Sequence, residues 1–310
     1  MKKYVLGIDT SNYKTSVAVC AGDEVICDVR RFLQVKQGER GLRQSDALFQ
    51  HVKALPELMN ELRESFDGEI SAVAYSSRPR PVEGSYMPVF LAGQSVAESV
   101  AEALKVPAYA FSHQEGHIEA VRRFCELRDT EEFLACHFSG GTTEVLHVKP
   151  SRDRPAGFDI DIVGGTRDIA FGQLIDRVGV AMGMKFPAGE YLDRLALSAN
   201  HPTDVLTAIK VQDAYVNLSG IDTQIRKHIL SGETNAPLAR ELFMKINLAV
   251  SKMVEQAREK TGISDVLMAG GVSSSMFVRD KLTSVCYGKP ELSGDNAVGI
   301  ALLGGRNIWD

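Results

Sequence analysis

The chain opens with a strand–turn–strand pattern, YVLGIDTSNYKTSVAVC (Tyr4–Cys20). Tyr4–Asp9 is apolar enough for a buried strand, and Ser16–Cys20 has the pattern of the strand that returns. The polar residues Asp9–Thr15 form the predicted turn. Small hydroxyl residues in such a turn leave backbone N–H groups free to face an anion, and the carboxylate of Asp9 could hold a metal ion or its water near phosphates. A plain hairpin turn is the alternative interpretation.

A second strand–turn–strand pattern lies in the middle of the chain. Phe133–Phe138 is apolar, Ser139–Thr143 is a small polar turn, and Glu144–Val148 returns. Gly140 and Gly141 would let the backbone approach a ligand with no side chain in the way. The repetition of one design predicts two similar lobes. Actin-like ATPases clamp phosphates between two hairpins of this kind, although either segment alone could be an ordinary turn.

The remaining pattern mixes helices with short strands, which predicts an α/β fold. Apolar residues at helical spacing predict helices, and short apolar runs between turn residues predict strands. The further strands expected are Ile70–Tyr75, Val106–Ala110 and Val266–Ala269, and the helices expected are Val89–Leu104, Arg167–Met182, Asp204–Ala208, Thr223–Leu230, Ala236–Thr261, Ser274–Leu282, Asn296–Leu303 and Asp46–Ser65.

Length, charge and cysteine content limit the number of domains, the kinds of partner and the redox state of the thiols. A chain of 310 residues fits two domains of ordinary size. Its net charge of −5 is unlike that of a free-standing nucleic-acid binder, so any RNA contact must be local or assisted by a partner. The five cysteines form no C-x-x-C pair and favour reduced thiols. The sequence shows no signal peptide and no membrane span, so we expect a cytoplasmic protein with no membrane partner.

A third glycine-rich segment, AGGVSSS (Ala269–Ser275), follows the apolar run that ends at Ala269. A strand that opens through Gly270 and Gly271 into a helix N-terminus is a suitable seat for an adenosine or phosphate group. The segment is not a P-loop, because no Gly-Lys-Ser/Thr follows, and it lacks the dinucleotide pattern G-x-G-x-x-G.

The segment HQEGH (His113–His117) places two histidines four residues apart. On a helix they lie on one face and can share a metal ion. The segment differs from the H-E-x-x-H of zinc proteases, and two histidines leave a site incomplete. A carboxylate would complete a two-histidine, one-carboxylate set typical of iron. Asp295, in a glycine-containing turn before a predicted helix, is the best candidate. Two surface histidines are the alternative.

Two aspartates follow the second hairpin. Asp176 lies on the predicted helix Arg167–Met182, and Asp193 follows the turn Pro187–Gly189. Both could accept hydrogen bonds from ribose hydroxyls. Acids on a helix surface are an equally good interpretation.

Taken together, the motifs are far more specific than any one of them. They occur in one order with fitting gaps: Gly7-Ile8-Asp9-Thr10-Ser11, His113-x-Glu115-Gly116-His117, Ser139-Gly140-Gly141, Gly172-x-x-x-Asp176, Gly270-Gly271-Val272-Ser273 and Asp295-Asn296-Ala297. This set resembles the threonylcarbamoyladenosine transferase family, whose members modify an adenosine of transfer RNA and were once described as O-sialoglycoprotein endopeptidases. The resemblance covers nearly the whole chain. We see no nucleophile–base pair arranged for peptidase chemistry.

The resemblance implies an actin-like ATPase fold, with two lobes around a cleft for nucleotide and metal. We expect residues 1–108 with 296–310 to form the N-terminal lobe, and residues 109–295 to form a C-terminal lobe with the metal and nucleotide motifs. By match to the family, iron or zinc would be bound by His113, His117 and Asp295. The residues expected to line an adenine nucleotide, with Mg²⁺ as a further ion, are Ser139, Gly140, Gly141, Asp176, Gly189, Asp193, Gly270, Gly271 and Ser275.

The activity that the resemblance implies is a metal-dependent transfer of threonylcarbamoyl from its adenylate to adenosine of tRNA. We expect Asp9 and Ser11 to be catalytic residues. The nucleotide would be ATP or threonylcarbamoyl-AMP. The expected partners are tRNA, accessory proteins, and a second copy or a related actin-like protein in a dimer.

The chain departs from the family pattern at several positions that could carry catalysis. Acidic residues are usual where this chain has Tyr13 and Lys14, and histidine is usual at Thr142. The other departures are Ile169 for Asp, Gln173 for Glu, Ser275 for Asn, and Arg78-Pro79-Arg80-Pro81 for Gly-Pro-Gly. The metal set is kept while the nucleotide set is changed, which indicates a divergent paralogue. A transferase with another acceptor and a non-catalytic nucleotide-binding scaffold are therefore the alternative functions.

Overall fold

The structure, a computed structural model, describes residues 2–11, 13–35, 42–230 and 235–309, with only the backbone at 230. Asn12 of the first predicted turn lies outside the described residues. The strands are β1 Tyr4–Thr10, β2 Lys14–Ala21, β3 Glu24–Phe32, β4 Ile70–Arg78, β5 Ala108–Ser112, β6 Phe133–Phe138, β7 Thr143–Pro150, β8 Phe158–Thr166, β9 Val211–Gln212, β10 Tyr215–Val216, β11 Val266–Ala269 and β12 Cys286–Tyr287. The helices are α1 Gln44–Ser65, α2 Phe90–Leu104, α3 His113–Arg122, α4 Phe171–Ala181, α5 Gly189–Ser198, α6 Ser219–Leu230, α7 Asn235–Thr261, α8 Met276–Lys281 and α9 Val298–Gly305, with short 3-10 helices at Gly271–Ser274 and Pro290–Leu292.

The chain divides into two compact units. The first comprises Met1–Phe124, Pro150–Asp159 and Asp295–Asp310, and the second comprises Cys125–Lys149 and Ile160–Gly294. This division differs from the expected boundaries, because residues 109–124, residues 150–159 and Asp295 belong to the first unit. The physical reason is that β5 pairs with β4, and α3, which follows β5 directly, packs against α9. The metal motif is therefore part of the first unit.

The first unit contains a sheet whose described strands lie in the order β3-β2-β1-β4-β5. Asp9 of β1 lies opposite Ser16 of β2 in the antiparallel hairpin that the sequence predicted. Because β1, β4 and β5 run parallel, their carboxyl ends meet at one edge of the sheet, where parallel sheets commonly bind ligands. Asp9, Arg78 and Ser112 lie at this edge.

Alternation along β1 decides which helices cover each face of this sheet. Leu6 and Ile8 are buried in a core that also contains Leu55 of α1 and Ala97 of α2. Gly7 points to the other face, where a Cβ atom would lie 2.4 Å from the carbonyl oxygen of Ala297. The glycine therefore allows the start of α9 to lie directly against β1.

A close approach of two glycines joins α3 to α9. A Cβ atom on Gly299 would lie 1.8 Å from the carbonyl oxygen of Gly116, so no larger residue fits there without movement of a helix. Gly116 lies between the two histidines of α3, and Asp295 lies just before α9. This contact therefore brings Asp295 to the first turn of α3.

The second unit contains a sheet whose described strands lie in the order β12-β11-β6-β7-β8-β10-β9. Its strands β8-β7-β6-β11-β12 repeat the order of the first unit, which supports the internal duplication that the two hairpins indicated. β6 and β11 are parallel, with Cys136 opposite Met268. A large core of Phe138, Phe171, Leu242 and their neighbours covers one face of this sheet.

Some predicted elements differ from the observed ones. The predicted helix at Asp204–Ala208 is wrong, because these residues form neither helix nor strand. Backbone N–H groups of Val205 and Leu206 donate to the buried carboxylate of Glu241 at 3.0 and 2.8 Å, which replaces the bonds of a helix. The helix predicted from Arg167 begins later, at Phe171, because β8 extends to Thr166. Among the described residues, no helix is long and apolar enough to cross a membrane.

Candidate functional site

Three potential metal ligands converge in the first unit. α3 begins directly after β5, and its N-terminus is fixed by a capping box between Ser112 and Glu115. His113 and His117 are one helical turn apart, and their Nε2 atoms are 3.0 Å from each other. Oδ1 of Asp295 is 3.1 Å from Nε2 of His117 and 3.7 Å from Nε2 of His113. The structure thus brings together the three residues that the resemblance assigned to a metal.

A second layer of polar contacts holds these ligands. Nδ1 of His113 is 2.9 Å from Oδ1 of Asp9, which is fully buried at the end of β1. The hydroxyl of Ser11 donates to Oδ2 of Asp295 at 3.2 Å, so Oδ1 remains directed at the histidines. Asp9 and Ser11, expected to be catalytic, therefore contact potential ligands directly. Oδ2 of Asp9 is buried and has no hydrogen-bond partner among the described residues.

The electrostatics of this group favour one shared positive charge. Burial acts to lower the pKa of His113, but the Asp9 and Asp295 carboxylates outweigh it and raise that pKa. Burial, together with the neighbouring His113, lowers the pKa of His117. Burial acts to raise the pKa of Asp295, but hydrogen bonds from both histidines hold it well below its usual range. A divalent cation could take the place of the proton that the histidines would otherwise bind.

The donor set fits a single first-row transition-metal ion. Such an ion lies about 2.1 Å from its ligand atoms, so adjacent ligands are separated by about 3.0 to 3.4 Å. The separations in this group run from 3.0 to 3.7 Å. If Nδ1–H of His113 donates to Asp9, then Nε2 of that ring carries the lone pair that a metal requires. Two imidazoles and a carboxylate are the set used by iron and zinc enzymes.

Glu115, the acid between the two histidines, has a structural role. Its Oε2 accepts from the backbone N–H and the hydroxyl of Ser112, both at 2.7 Å. Its Oε1 accepts from Arg154 at 2.7 Å and from the backbone N–H of Phe158 at 2.9 Å. Glu115 therefore caps α3 and fixes the segment Pro150–Asp159 on the first unit. The third position of HQEGH is the third residue of α3, from which a carboxylate can complete the capping box with Ser112. Glu115 therefore serves the helix N-terminus and is not one of the potential metal ligands.

His51 is a contact of the first hairpin that the sequence patterns did not single out. It lies on α1, is fully buried, and its Nδ1 is 2.8 Å from the hydroxyl of Thr15. Burial lowers the pKa of His51, and the backbone of Ser11 acts in the opposite direction. A histidine at helical spacing from apolar residues of α1 was the available sequence signal. His51 braces the hairpin that presents Asp9 and Ser11.

In the second unit, two glycine-containing turns lie at one sheet edge. The turn Ser139–Thr143 follows β6, the segment Gly270–Ser275 follows β11, and these strands are parallel neighbours. Gly270 has φ of 87°, and a Cβ atom there would lie 2.3 Å from the carbonyl oxygen of Phe138. Gly172, at the start of α4, is equally close to the first turn, since its Cβ would lie 2.3 Å from the carbonyl oxygen of Ser139. Glycine is required at both positions to bring the three segments together.

The other glycines of these turns have open space next to their Cα atoms. A Cβ atom added to Gly140, Gly141 or Gly271 would meet nothing within 4 Å, and one added to Gly189 would meet only Ile175 at 3.8 Å. Ser139 closes its turn, because its backbone N–H donates to the Thr142 carbonyl at 2.8 Å. These open positions are compatible with a ligand resting on the backbone, as the sequence indicated.

The two aspartates that the sequence analysis assigned to ribose accept hydrogen bonds from protein groups. Oδ1 and Oδ2 of Asp193 accept from Ser275 and from the backbone N–H groups of Met276 and Phe277, at 2.5 to 3.2 Å. Asp193 therefore caps α8 and orders the segment after Gly271. Asp176 accepts from the backbone N–H of Ala188 at 2.7 Å, while burial raises its pKa. Both carboxylates thus shape the site through its backbone.

Comparison with known proteins finds relatives that match most of the chain. The sequence profile of the family tRNA N6-adenosine threonylcarbamoyltransferase matches residues 34–302. A protein of that name from Neorickettsia sennetsu is 28% identical over 286 residues, covering 90% of this chain and 83% of the relative. Another from Streptococcus suis is 30% identical, covering 97% and 91%. A probable bifunctional tRNA threonylcarbamoyladenosine biosynthesis protein from Methanocaldococcus jannaschii is 26% identical, covering 96% of this chain and 54% of the relative.

Solved structures show the fold. The activator of 2-hydroxyisocaproyl-CoA dehydratase from Clostridium difficile has a TM-score of 0.57 at 12% identity, covering 97% of this chain and 94% of that protein. HypF of T. kodakarensis has a TM-score of 0.60 at 14% identity, covering 99% of this chain and 48% of that protein. These neighbours confirm the predicted actin-like ATPase fold. With a family profile that matches most of its length, this chain belongs to the tRNA N6-adenosine threonylcarbamoyltransferase family.

Proposed function

We propose that the protein transfers a threonylcarbamoyl group from its adenylate to an adenosine of tRNA, with one metal ion held by His113, His117 and Asp295. Membership of the family supports the reaction class. The observation that carries the metal site is the convergence of three ligand atoms that all lie within 4.8 Å of one another. Iron is the first choice and zinc the second, because both accept two imidazoles and a carboxylate.

The metal, when bound, would supply a Lewis acid for the carbonyl and the leaving phosphate of the adenylate. The residues of the first unit would prepare this site. Asp9 would hold His113 in the tautomer whose Nε2 faces the ion. Ser11 would hold Asp295 with Oδ1 toward the histidines. Because both second-layer residues lie at the β1–β2 hairpin, a shift of that hairpin would disturb two ligands together.

The residues of the second unit would bind the adenine nucleotide. The open backbone at Gly140, Gly141 and Gly271 would accept phosphate or ribose oxygens, with Ser139 and Ser275 closing the two turns. Asp176 and Asp193 would shape these turns, and Gly189 would leave room beside them. Mg²⁺ would accompany ATP in the same site. A nucleotide, ADPNP, is bound to one protein of this fold, the activator of 2-hydroxyisocaproyl-CoA dehydratase, which supports this use of the fold.

We further propose that the reaction on tRNA requires accessory proteins, a related actin-like subunit among them. The chain carries a net charge of −5, which does not favour unaided binding of a polyanion. The archaeal relative named bifunctional is much longer than this chain, which matches only 54% of it. That relative combines two functions in one protein, which supports a reaction that needs more than one component.

The decisive experiment supplies purified protein, loaded with Fe²⁺ or Zn²⁺, with threonylcarbamoyl-adenylate and unmodified tRNA, with and without a cell extract as a source of partners. Digestion of the tRNA and mass spectrometry then detect the modified nucleoside. We expect product with the parent protein and none with His113→Ala or His117→Ala, which should also lose stoichiometric metal because only two ligands remain. His147→Ala, which removes an imidazole in the second unit that pairs with Glu132, is the matched control.

Three outcomes would redirect the proposal. If the protein binds nucleotide and metal but forms no modified nucleoside under any condition, the non-catalytic scaffold is the better interpretation. If label is transferred from the adenylate to a molecule other than tRNA, the protein is a transferase with a different acceptor. Unchanged metal content in both histidine variants would show that the metal site is misassigned.

A further inference from the structure

The segment 78–89, RPRPVEGSYMPV, runs from the last residue of β4 to the residue before α2. It opens with Arg78-Pro79-Arg80-Pro81, which stands where the family has Gly-Pro-Gly. It begins at the carboxyl end of β4, at the sheet edge that carries the metal ligands. Two arginines and an aromatic residue distinguish it, and the site described above uses none of them. We call this segment the 78–89 loop.

Two hydrogen bonds attach the 78–89 loop to the elements that carry the potential metal ligands. The carbonyl oxygen of Pro79 accepts from the backbone N–H of Gln114, the residue after His113, at 3.0 Å. At the other end, the carbonyl oxygen of Val89 accepts from the hydroxyl of Thr10, the residue after Asp9, at 3.0 Å. Within the loop, the hydroxyl of Ser85 accepts from the backbone N–H of Arg80 at 3.0 Å. The loop is therefore ordered and fixed beside the metal group.

The side chains of the loop have the chemistry of a nucleic-acid contact. Arg78 and Arg80 flank the attached Pro79, and Nε of Arg78 is buried without a hydrogen-bond partner among the described residues. Arginine forms bidentate contacts with phosphate oxygens. Tyr86 leaves 62% of its surface exposed, and an exposed aromatic ring is the usual platform for an unpaired base. A small carboxylate could contact the arginines but would leave the exposed ring of Tyr86 unused.

We propose that the 78–89 loop is the contact with the acceptor RNA, in which Arg78 and Arg80 bind backbone phosphates and Tyr86 stacks on an unpaired base. The inference rests on the proposed function for the identity of the RNA. It gives an acidic chain a local contact for a polyanion, because Arg78 and Arg80 lie two residues apart on one attached loop. Glu83 is exposed on the same loop, and its negative charge would repel RNA phosphates. Removal of this charge should therefore strengthen binding, whereas removal of an arginine should weaken it.

The test measures binding rather than catalysis. The metal-loaded full chain is titrated with a fluorescent, unmodified tRNA transcript by anisotropy over a series of salt concentrations. Arg78→Gln and Arg80→Gln should each weaken binding and lower the slope of log affinity against log salt by roughly 1. Tyr86→Ala should weaken binding about tenfold while Tyr86→Phe retains it, because stacking needs the ring and not the hydroxyl. Glu83→Gln should strengthen binding.

The control is Arg63→Gln, an exposed arginine of α1 that donates to Asn60. It should leave both affinity and salt slope unchanged, and metal content should stay stoichiometric in every loop variant. The proposal is overturned if the parent binds no tRNA, if the loop variants keep the parent's affinity and slope, or if they lose affinity for AMP while retaining tRNA binding. Loop-dependent tRNA binding without transfer would sustain this inference and count against the proposed function. Transfer to tRNA together with tRNA binding that does not depend on the loop would support the proposed function and count against this inference.

Discussion

Oδ1 of Asp9 lies 2.9 Å from Nδ1 of His113, so the first strand of the chain holds the first residue of α3. These residues are far apart in sequence, and β1 and β5 are separated in the sheet by β4. The contact links the opening hairpin to the histidine pair. It gives the opening motif of the chain a role in orienting a ligand.

Asp9→Asn should weaken metal binding by about 10- to 100-fold, the usual cost of losing a partner that orients a ligand. The amide can retain a hydrogen bond but no longer stabilises the same tautomer and charge of His113. Competition with a chromogenic chelator measures the affinity. Asp28→Asn, which removes a carboxylate paired with Arg30 on β3, is the control and should have no effect. Equal affinities of parent and Asp9→Asn would contradict a role for Asp9 in orienting His113.

Gly271→Val should fold and lose affinity for adenine nucleotide. The added side chain would occupy open space above the backbone, where the ligand is proposed to lie. Calorimetric titration with ATP and a thermal unfolding curve separate binding from folding. Gly270→Ala is the informative comparison, because a Cβ at that position meets the Phe138 carbonyl and should lower thermal stability. Binding of ATP to Gly271→Val as tightly as to the parent would remove this turn from the nucleotide site.

Lys14 and Thr142 test whether the departures from the family pattern are functional. The ammonium of Lys14 lies 4.6 Å from the ring centre of Phe32, and burial lowers the pKa of Lys14 while Asp295 acts against this. A cation at the start of β2, in the hairpin that also carries Asp9 and Ser11, should favour an anionic ligand. We expect the parent to bind the adenylate firmly and turn it over slowly. Lys14→Glu combined with Thr142→His should weaken affinity and raise turnover.

The single variants Lys14→Glu and Thr142→His show which change matters, and steady-state kinetics with the adenylate and tRNA provide both quantities. Full transfer activity of the parent, together with an unchanged affinity and rate in the double variant, would mean that the two substitutions are neutral. Lys14 would then contribute only its contact with Phe32.

Asp168→Asn should destabilise the second unit in a pH-dependent manner. Asp168 accepts from the backbone N–H groups of Leu218 and Ser219 at the start of α6, at 2.8 and 2.9 Å. Burial acts to raise its pKa, but these hydrogen bonds outweigh it and lower the pKa from 3.8 to about 2. A depressed pKa stabilises the folded state above the unfolded-state pKa, and this stabilisation is lost as the pH falls from 3.8 through about 2.

The measurement is urea unfolding of parent and variant at neutral pH and at intervals down to pH 2. The difference between them should be largest at neutral pH and should shrink below pH 3.8. Asp153→Asn, at an exposed position, is the control. A difference in the free energy of unfolding that does not vary with pH would show that the charge of Asp168 does not stabilise α6.

Local sequence determined much of the fold. Strong apolar runs bounded by glycine and polar residues predicted the strands Tyr4–Asp9, Phe133–Phe138 and Val266–Ala269, because such runs need burial on both faces of a sheet. Long helical spacing predicted α7 closely. The predicted helix Asp204–Ala208 failed because Glu241, distant in sequence, satisfies the backbone of that segment. The spacing of five residues carries no information about such a partner.

The sequence by itself determined the ligand types of the metal group, because two histidines four residues apart on a helix must share a face. Only the tertiary structure decided that Asp295 joins them, since this depends on the contact between Gly116 and Gly299 that packs α9 against α3. The same applies to Glu115 and Asp193, whose carboxylates are taken up by backbone donors from other segments. An acidic side chain can bind a metal, a ribose or a backbone N–H group with similar chemistry. Which of these it meets depends on the chain segments that the fold places within about 3 Å of it.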